Sequence, residues 1–558
     1  MWQSKMLRTL NKLRIVIVAL ALILAGTLAY ANETDRYTTE NIKRSDFDLV
    51  ILHTNDIHAH DLPFKEKGHL IGGVAKIDYL VTSIKKQHNN VLVVDAGDFF
   101  QGTPLFQRYG GEVEIEALNE IGYDVVELGN HEFDRGAKYL ANQLQAAKFP
   151  VLACNLDCRQ VPSLEHFVKP GLVKEINGEK IAFIGVITPD LEKKALGLDG
   201  VKVKAPDGNW LAPVGEEIKH FQNQGINKII IVSHCGIELD KRLAEAFPAI
   251  DLIIGGHSHT RLTQPVWIMH PDNTYTAIVQ TGCHGRALGD IDLKFDKEGN
   301  ILKSETRYRL INITSNMKED LTLEHYLEKK EKPLLALRDK IVGFSNDTFW
   351  NHFATMPGDS AIGDLICDAI AEAETVHGVQ ITFQNRGGIR GKIERGPISE
   401  EMVQEILPFG NKIVCATVSG GALLAILERS SAGPHYGGFL DVHGLRIGYN
   451  SEREPGKRIV YALVQNDTDK WSPIQARESY KIAVNDYTFK GGDGCDFSKA
   501  TDALYEDTTV AQALSNYLLK HKHVKPQYGH RIIVIDQSQT TSNKPFCRRR
   551  QNGSDSTY

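Results

Sequence analysis

The first half of the chain contains five short apolar runs, and each run ends in a turn that carries Asp, Asn or His. Short, β-branched runs of this kind predict buried strands. The runs and the residues that follow them are 47–52 before Asp56 and His58, 91–94 before Asp98, 125–128 before Asn130 and His131, 229–232 before His234, and 251–254 before His257 and His259. Open α/β sheets bind ligands at the carboxyl ends of their strands. Because carboxylates mixed with imidazoles suit divalent metals, the series indicates a metal site, whereas any single pair would be ordinary loop polarity.

The remaining pattern predicts a layered α/β region followed by a second region. Helical spacing of apolar residues predicts helices that begin after Gly73 and over 112–121, and strands are predicted at 180–187, 278–281 and 289–295. Residues 318–343 are charged and helical in pattern, with Pro333 expected to start or kink a helix. Beyond them the pattern predicts a helix over 361–373, strands at 379–383 and 481–484, and helix N-caps at Ser399 and Ser419.

Length and charge narrow the class of protein. A chain of 558 residues is too long for one ordinary domain, so we expect two. The hydrophobic content of 42% and the charged content of 24% are typical of globular proteins. A net charge of −6 provides no electrostatic surface for a nucleic acid polymer, although a small phosphate ester is not excluded as a substrate.

The N-terminus has the pattern of a signal peptide, residues 1–31. Four basic residues precede an apolar stretch over 15–26, and Ala29-Tyr30-Ala31 fits a small-x-small cleavage site. We therefore expect an exported protein, periplasmic or secreted, with no membrane attachment after cleavage; an uncleaved membrane anchor is the alternative. Export permits disulfides, and Cys154 and Cys158 are close enough in sequence to pair, but neither pairing nor oligomeric state can be read from one sequence.

The ordered motifs resemble those of the calcineurin-like metallophosphoesterases. Asp56-x-His58, Gly97-Asp98, Gly129-Asn130-His131, a separate His234 and Gly256-His257-x-His259 follow the order of that superfamily. The words HTND, GNHEFD, NRGGIR, LPFGN and FKGGDG are similar to those of the secreted, two-domain 5′-nucleotidase family, over residues 46–536. The resemblance implies a four-layered N-terminal domain, a β-sandwich flanked by helices, over 46–317. It further implies a linker helix over 318–343, an α+β nucleotide-binding domain over 344–536, and a polar tail over 537–558.

The resemblance also implies a dimetal centre and a catalytic pair. Asp56, His58 and His259 match the ligands of the first metal, Asn130, His234 and His257 match those of the second, and Asp98 matches the bridging ligand. Zinc, manganese, cobalt and iron all suit this donor set. His131 matches a histidine that contacts the phosphoryl group, and Asp134 matches the aspartate that orients this ring and favours its charged form.

On the substrate side, Phe439 and Tyr487 match the two aromatic residues between which the family holds a nucleotide base. Asn385, Arg390 and Asp493 match residues that contact the substrate. An arginine that the family usually carries before the helix at 361–373 is missing here, where Gly358 stands. Arg386 is a candidate substitute for that cation, and a solvated Arg386 is the alternative.

These features predict a dimetal phosphohydrolase that acts on small-molecule nucleotides, with 5′-monophosphates as the first expectation. Alternatives on the same scaffold are hydrolysis of nucleotide sugars or dinucleotides, and 2′,3′-cyclic phosphodiesterase or 3′-nucleotidase activity. A non-catalytic surface protein that binds nucleotides is a remote alternative. A decayed site would have lost ligands, whereas here every ligand position and the His131–Asp134 pair are present.

Overall fold

The computed structural model describes residues 47–66, 68–351, 358–432, 437–465 and 470–535. The predicted signal peptide, 1–31, and the polar tail, 537–558, lie outside the described residues. No helix among the described residues is long and apolar enough to cross a membrane.

The strands of the first region are numbered along the chain. They are β1 Phe47–Thr54, β2 Phe64–Glu66, β3 His69–Ile71, β4 Val91–Asp95, β5 Val125–Glu127, β6 Val151–Leu152, β7 Leu156–Asp157, β8 Val168–Lys169, β9 Gly171–Ile176, β10 Glu179–Ile187, β11 Lys202–Val203, β12 Lys228–His234, β13 Leu252–Gly255, β14 Val266–Met269, β15 Tyr275–Val279, β16 Ala287–Phe295 and β17 Arg307–Asn312. Every apolar run that precedes a metal motif forms one of these strands.

The helices of the first region alternate with these strands in its front half. They are α1 Val74–Lys85, α2 Pro104–Tyr109, α3 Glu112–Ile121, α4 Ala137–Leu144, α5 Pro162–Glu165, α6 Leu191–Lys194, α7 Ala212–Gln222 and α8 Ile237–Ala246, with 3₁₀ turns at His131–Phe133 and Pro206–Gly208. The predicted helix over 112–121 is confirmed as α3.

Two large sheets form the middle of the first region. One has seven strands in the order β17-β16-β1-β4-β5-β6-β8, and the other has six in the order β14-β15-β13-β12-β10-β9. The motif-bearing strands are parallel to their neighbours within each sheet: β1 to β4, β4 to β5, and β12 to β13. Strand β5 contacts β10 and β12, so the two sheets pack face to face. The carboxyl ends of strands from both sheets therefore meet along one edge.

Helices cover the outer face of each sheet. Val93 of the first sheet packs in one core with Ile77 of α1 and Leu118 of α3. Ile231 of the second sheet packs in another core with Ile218 of α7. The result is the expected four-layered arrangement, helix, sheet, sheet and helix, because each sheet buries one apolar face on its partner and the other under helices.

Two short helices join the first region to the second: α9 Leu321–Glu331 and α10 Leu335–Asp339, with a 3₁₀ turn, Lys332–Leu334, between them. Pro333 lies in that turn, as the sequence predicts. The helical segment is shorter than the predicted 318–343, because Ile341–Ser345 is a strand whose backbone pairs with Gly396–Ser399. Leu327 packs into the core of the first region, whereas the expected helix residue Ile341 is exposed.

The second region contains twelve strands and five helices among its described residues. The strands are β18 Ile341–Ser345, β19 Ile381–Asn385, β20 Gly396–Ser399, β21 Lys412–Ser419, β22 Leu440–His443, β23 Leu445–Tyr449, β24 Ile459–Gln465, β25 Trp471–Pro473, β26 Ser479–Asn485, β27 Thr501–Thr509, β28 His523–Val524 and β29 Ile532–Val534. The helices are α11 Ala361–Ala373, α12 Glu400–Ile406, α13 Gly420–Ser430, α14 Asp486–Phe489 and α15 Val510–His521, with 3₁₀ turns at Thr375–His377, Arg386–Gly388 and Gly492–Gly494.

A five-stranded sheet, ordered β22-β19-β26-β21-β27, is the centre of the second region. Smaller sheets of the orders β25-β24-β23-β29 and β20-β18-β28 complete it. Ser399 and Ser419 cap α12 and α13 as predicted, each accepting a backbone hydrogen bond from the first turn. The seven cysteines of the described residues are free thiols, so Cys154 and Cys158 are not bridged.

Candidate metal centre

The structure brings the candidate metal ligands of the first region together at the carboxyl ends of five strands. The turns after β1, β4, β5 and β13 carry six of them, and His234 is the last residue of β12. Five of these seven residues, Asp56, His58, Asp98, Asn130 and His234, are at most 4% exposed. Two groups have ligand atoms within 4.8 Å of one another, Asp56 with His58 and His259, and Asp98 with His234 and His257.

The turns that carry these residues are conformationally unusual. Five ligands have left-handed backbone angles: φ is 51° at Asp56, 53° at His58, 56° at Asp98, 71° at His257 and 52° at His259. Non-glycine residues rarely adopt this conformation, at about 1–3 kcal/mol each, and such residues cluster where function requires them. We therefore interpret the strain as the consequence of turning each side chain inward.

A glycine permits the closest approach of two of these turns. A Cβ atom on Gly129 would lie 2.2 Å from Oδ1 of Asp98, so no larger residue fits there. This close packing also lets the backbone N–H of His131 donate to the same Oδ1 over 2.8 Å. The turn after β5, which carries Asn130, is thereby held directly against Asp98.

Within the first group, the imidazoles of His58 and His259 approach to 3.0 Å between their Nε2 atoms. Nε2 of His259 lies 3.3 Å from Oδ1 of Asp56. Nδ1 of His58 contacts the carbonyl oxygen of Gln101 at 3.0 Å. Because a carbonyl only accepts, Nδ1 carries the proton and Nε2 is the atom that faces the other ligands.

The second group has the same construction. Nδ1 of His234 donates to the carbonyl oxygen of Ala96 over 2.7 Å, which turns Nε2 towards Oδ2 of Asp98 at 3.0 Å. Oδ2 of Asp98 also lies 3.8 Å from Nε2 of His58, which belongs to the first group. Asp98 is therefore the carboxylate common to both groups, as expected of a bridging ligand.

Charge is balanced inside this buried cluster by shifted protonation. Burial favours the neutral form of Asp98 and Asp56, but the neighbouring imidazoles outweigh burial and hold both pKa values below the usual range. Burial opposes protonation of His234 and His259 too, but Asp98 and Asp56 respectively raise their pKa values to about 10. Two carboxylates thus face two imidazolium groups.

The residues present fit divalent metal ions. Metal binding needs neutral imidazoles and ionised carboxylates, and cations would replace the protons that now balance the two carboxylates. Burial already lowers the pKa of His257 to about 4, so this ring is neutral near neutral pH. The buried Oδ1 of Asn130 has no hydrogen-bond partner, as expected of an atom that would bind a cation.

Two further residues, which the sequence analysis did not assign, hold the metal-binding turns in place. Glu132 accepts backbone N–H groups from Gly129 at 2.6 Å, Asp98 at 3.0 Å and Phe100 at 2.9 Å, tying two motif turns together. Asn55 donates to Oδ2 of Asp56 over 2.6 Å. Both lie inside the words GNHEFD and HTND, so their position in a motif was the available signal.

His131 lies between the metal cluster and the second region. Its Nδ1 contacts Oδ2 of Asp134 at 2.7 Å, and Nη2 of Arg390 lies 3.2 Å from its Nε2. Since arginine only donates, Nε2 accepts and Nδ1–H donates to Asp134, which assigns a neutral ring. The orienting contact predicted for Asp134 is present, but the charged form of His131 requires Arg390 to move away from Nε2.

Phe409 completes this contact between the regions and was not assigned from sequence. Its ring stacks on His131 with the centroids 5.6 Å apart and an interplanar angle of 26°. The guanidinium of Arg390 lies 5.1 Å from the centre of the same ring. The only sequence signal for Phe409 was its place in the word LPFGN.

The other substrate-side candidates form a polar network. Nδ2 of Asn385 donates to Oδ2 of Asp493 over 3.2 Å, and its Oδ1 accepts from Asn485 over 2.9 Å. Oδ1 of Asp493 pairs at 3.3 Å with Lys194 of α6 in the first region. Lys194 is a second contact residue that sequence reasoning missed, because no motif contains it.

Arg386 is buried beside Gly358, the position at which the family arginine is missing. It is 2% exposed, so the solvated alternative is wrong. Its guanidinium donates to Oδ1 of Asp441 over 2.7 Å and also to the carbonyl oxygen of Gly358. Because Asp441 balances its charge, Arg386 adds no free cation where the family arginine is missing.

The two expected base-stacking residues differ in accessibility. Phe439 is 1% exposed and contacts Tyr449, and the guanidinium of Arg386 lies over its ring, 4.2 Å from the ring centre. The prediction that a base stacks on Phe439 does not match this arrangement, because the ring is buried and Arg386 covers one of its faces. Tyr487 is half-buried, and its hydroxyl donates to the carbonyl oxygen of Lys193 over 3.4 Å.

Comparison with known proteins agrees with this architecture. Residues 49–261 match the family model of the calcineurin-like phosphoesterases, and residues 341–501 match that of the 5′-nucleotidase C-terminal domain. The chain is 32% identical to a 5′-nucleotidase of Diplobatis ommata over 88% of this chain and 91% of that protein. It is 29% identical to the human 5′-nucleotidase over 87% of this chain and 91% of that protein.

A crystal structure of a 5′-nucleotidase precursor from Thermus thermophilus shares the fold. The TM-score is 0.82 at 30% identity, and the match covers 89% of this chain and 100% of the other. The predicted two-domain fold class is therefore confirmed. These matches show a metal-dependent phosphoester hydrolase, and the chain belongs to the 5′-nucleotidase family.

Proposed function

We propose that this protein is a 5′-nucleotidase that hydrolyses a nucleoside 5′-monophosphate to a nucleoside and phosphate. The observation that carries the proposal is the contact of Arg390 with His131, at 3.2 Å, beside the cluster of metal-ligand side chains. A phosphate group needs positive charge and directed donors on several sides. The metal cluster, His131 and Arg390 together offer that environment where the two regions meet.

The seven candidate side chains would hold two divalent ions, with Asp98 between them. This assignment is supported by the two ligand groups and by the position of Asp98 near His58 as well as His234. When bound, the metals polarise phosphoryl oxygens and lower the pKa of a bound water. The donor set is compatible with zinc, manganese, cobalt or iron.

His131 and Arg390 would act on the phosphoryl group from the opposite side. Asp134 fixes the His131 ring through Nδ1, so Nε2 keeps one direction. An entering phosphate takes over the donors of Arg390, and Nε2 of His131 can then carry a proton and donate it as a hydrogen bond. Such a donor stabilises negative charge that grows in the transition state.

The second region would hold the nucleoside. Tyr487 offers an aromatic ring to the base, and the Asn385–Asp493 pair offers an amide and a carboxylate to ribose hydroxyls. The division into a catalytic domain, 46–317, and a substrate domain, 344–536, is part of this proposal. Because the metal ligands and the nucleoside residues lie on different regions, we propose that substrate enters and leaves by relative motion of the two.

The signal-peptide pattern at 1–31 supports export, either to a periplasm or outside the cell. The substrate would therefore be an extracytoplasmic small-molecule nucleotide. The net charge of −6 supports a small substrate over a nucleic acid polymer.

A hydrolysis panel in which the products are separated by chromatography tests the proposal, because cleavage of a nucleotide sugar, a dinucleotide or a cyclic nucleotide releases no free phosphate. The purified protein, loaded in turn with zinc, manganese, cobalt and iron(II), is assayed on 5′-AMP, 3′-AMP, UDP-glucose, NAD and 2′,3′-cyclic AMP. The expected result is the highest kcat/KM on 5′-AMP, with Asp98→Asn as the inactive control. A preference for UDP-glucose or NAD would show that the enzyme is a pyrophosphatase with a different leaving group. A preference for cyclic or 3′-nucleotides would show that 5′-monophosphates are not its main substrate. If no substrate were hydrolysed with any metal, the result would contradict the proposal and favour a nucleotide-binding protein without catalytic activity.

A further inference from the structure

A second cluster of potential metal ligands lies in the second region and shares no residue with the centre described above. It consists of Glu374, Cys415 and Glu506, whose ligand atoms lie within 4.8 Å of one another, with His377 beside the two carboxylates. Glu374 follows the last residue of α11, and His377 ends the 3₁₀ turn after it. Residues three apart in a 3₁₀ turn lie on the same side, so one short segment presents both side chains.

The other two residues come from adjacent strands of the five-stranded sheet. Cys415 lies on β21 and Glu506 on β27, which is the edge strand. Cys415 is paired in register with Leu504, and Val414 with Tyr505. Glu506 follows Tyr505 on β27, so it lies diagonally across from Cys415 on the neighbouring strand.

The side chains of the cluster contact one another through their potential ligand atoms. Sγ of Cys415 lies 3.4 Å from Oε2 of Glu374, and Nε2 of His377 lies 3.6 Å from the same oxygen. Nε2 of His377 lies 3.1 Å from Oε1 of Glu506. Tetrahedral zinc, with bonds of about 2.0–2.3 Å, separates its ligands by about 3.3–3.8 Å. To complete such a coordination sphere, His377 would have to move towards Cys415, because His377 does not belong to the three residues whose ligand atoms lie within 4.8 Å of one another.

The groups of the cluster contact one another. Glu374 is 3% exposed and contacts Cys415 and His377, and Oε1 of Glu506 faces Nε2 of His377. Burial and the carboxylate of Glu506 raise the pKa of Glu374, and burial and Glu374 raise the pKa of Cys415 to about 12. Lys481 is the neighbouring cation, but its Nζ donates to the backbone oxygen of His377 over 2.9 Å. A divalent cation would offset the charge of the two carboxylates.

We propose that Glu374, His377, Cys415 and Glu506 form a structural zinc site in the second region. One imidazole, one thiolate and two carboxylates are donors that zinc accepts, and together they fill four positions and leave none open for substrate. On binding, the thiol proton of Cys415 leaves to solvent and the sulfur becomes a ligand. The site is independent of the metals proposed for hydrolysis.

The structural consequence would be that zinc holds the edge strand β27 in place. Most side chains of β27 are exposed, including Leu504 at 45% and Tyr505 at 51%, so little apolar burial holds this strand. Zinc would connect β27 to β21 and to the end of α11 through bonds rather than through packing. Tyr505 also contacts Phe489 of α14, the helix that carries Tyr487, so the zinc site would support the substrate side indirectly.

The test uses cobalt in place of zinc, because cobalt–thiolate bonds absorb in the near ultraviolet whereas nitrogen and oxygen ligands do not. The full chain is loaded with Co²⁺ and compared with Cys415→Ser and with Cys367→Ser, a fully buried thiol outside the cluster. We expect the charge-transfer band in the wild type and in Cys367→Ser, and its loss in Cys415→Ser. Metal analysis should give about one metal fewer per chain in Cys415→Ser.

Two further variants make the outcome decisive. Glu506→Gln keeps the size of the side chain and should lower the affinity for the third metal at least about tenfold, with nucleotide hydrolysis retained. Cys283→Ser removes a thiol near His259 at the first centre and should leave the band unchanged. A wild type with no band, or a band that disappears only in Cys283→Ser, would overturn the proposal. Retained hydrolysis in Cys415→Ser separates this result from failure of the proposed catalytic function.

Discussion

The two regions of this protein differ in whether their polar side chains have hydrogen-bond partners. At the candidate metal centre, Oδ1 of Asn130 is buried with no hydrogen-bond partner. On the substrate side, Asn385 and Asp493 hydrogen-bond to each other, and Asp493 also pairs with Lys194. A metal site must keep its donor atoms unshared, whereas a substrate site that opens and closes can satisfy its polar groups internally between turnovers.

The contrast extends to backbone geometry. Five metal-site residues have positive φ values, including Asp98 at 56° and His257 at 71°. Among the substrate candidates, Asp493 has φ of 54°, whereas Asn385 is ordinary extended backbone at the end of β19. Strain is therefore concentrated where several side chains must converge on a point, and is smaller where residues line a surface.

The largest expected effect comes from removing the carboxylate shared by the two ligand groups. Asp98→Asn should lower kcat by about 10³-fold or more, because an uncharged amide no longer offsets two cations and several kcal/mol of charge stabilisation are lost. Metal analysis of the purified variant should show reduced occupancy of both sites. Chelation of the wild type should abolish activity and added metal restore it; full activity in a verified metal-free sample would refute the mechanism.

Arg386→Ala should have the next largest effect, on stability rather than on substrate recognition. Removing one member of a buried ion pair leaves Asp441 uncompensated and should lower the free energy of unfolding by about 3–5 kcal/mol. Urea unfolding measures this. The double variant Arg386→Met, Asp441→Leu should recover much of the loss, since no buried charge remains unpaired. A loss below about 1 kcal/mol for Arg386→Ala would mean that the pair is solvated in solution.

His131→Ala should reduce turnover while metal binding is kept. Loss of one donor to the transition state should lower kcat by about 10²–10³-fold with little change in KM. Asp134→Asn is the matched variant, since it keeps the ring but weakens its orientation and should give a smaller loss. Metal analysis showing equal loss of metal in His131→Ala and Asp98→Asn would contradict the separation between ligand and phosphate-contacting residue.

The smallest expected effect distinguishes nucleoside recognition from chemistry. Tyr487→Ala should weaken a nucleotide substrate by about 1–3 kcal/mol, seen as a higher KM, because base stacking is lost. Tyr487→Phe keeps the ring and removes only the hydrogen bond to Lys193, so it should retain most of the affinity. A small aryl phosphate that does not reach the second region should be hydrolysed equally by all three proteins. Equal loss on both substrates would indicate misfolding instead.

Much of the fold and of the metal centre is determined by local sequence. The apolar runs before Asp56, Asp98 and His234 became parallel strands, because burial on both faces demands continuous apolar residues. The helices at Glu112–Ile121 and Ala361–Ala373 have the predicted bounds, because helical periodicity, and at the second helix a Ser360 cap, specify them locally. Convergence of the ligands then follows from strand direction alone.

The tertiary structure determines the role of residues whose partners are distant in sequence. The burial of Arg386 depends on Asp441, 55 residues away, and the contact of Arg390 with His131 spans 259 residues. Ile341 was assigned to a helix by its spacing, yet it pairs with Ser399 in a sheet. Local patterns specify periodicity and turns, but a charge or an edge strand acquires its role only from the group that the fold places beside it.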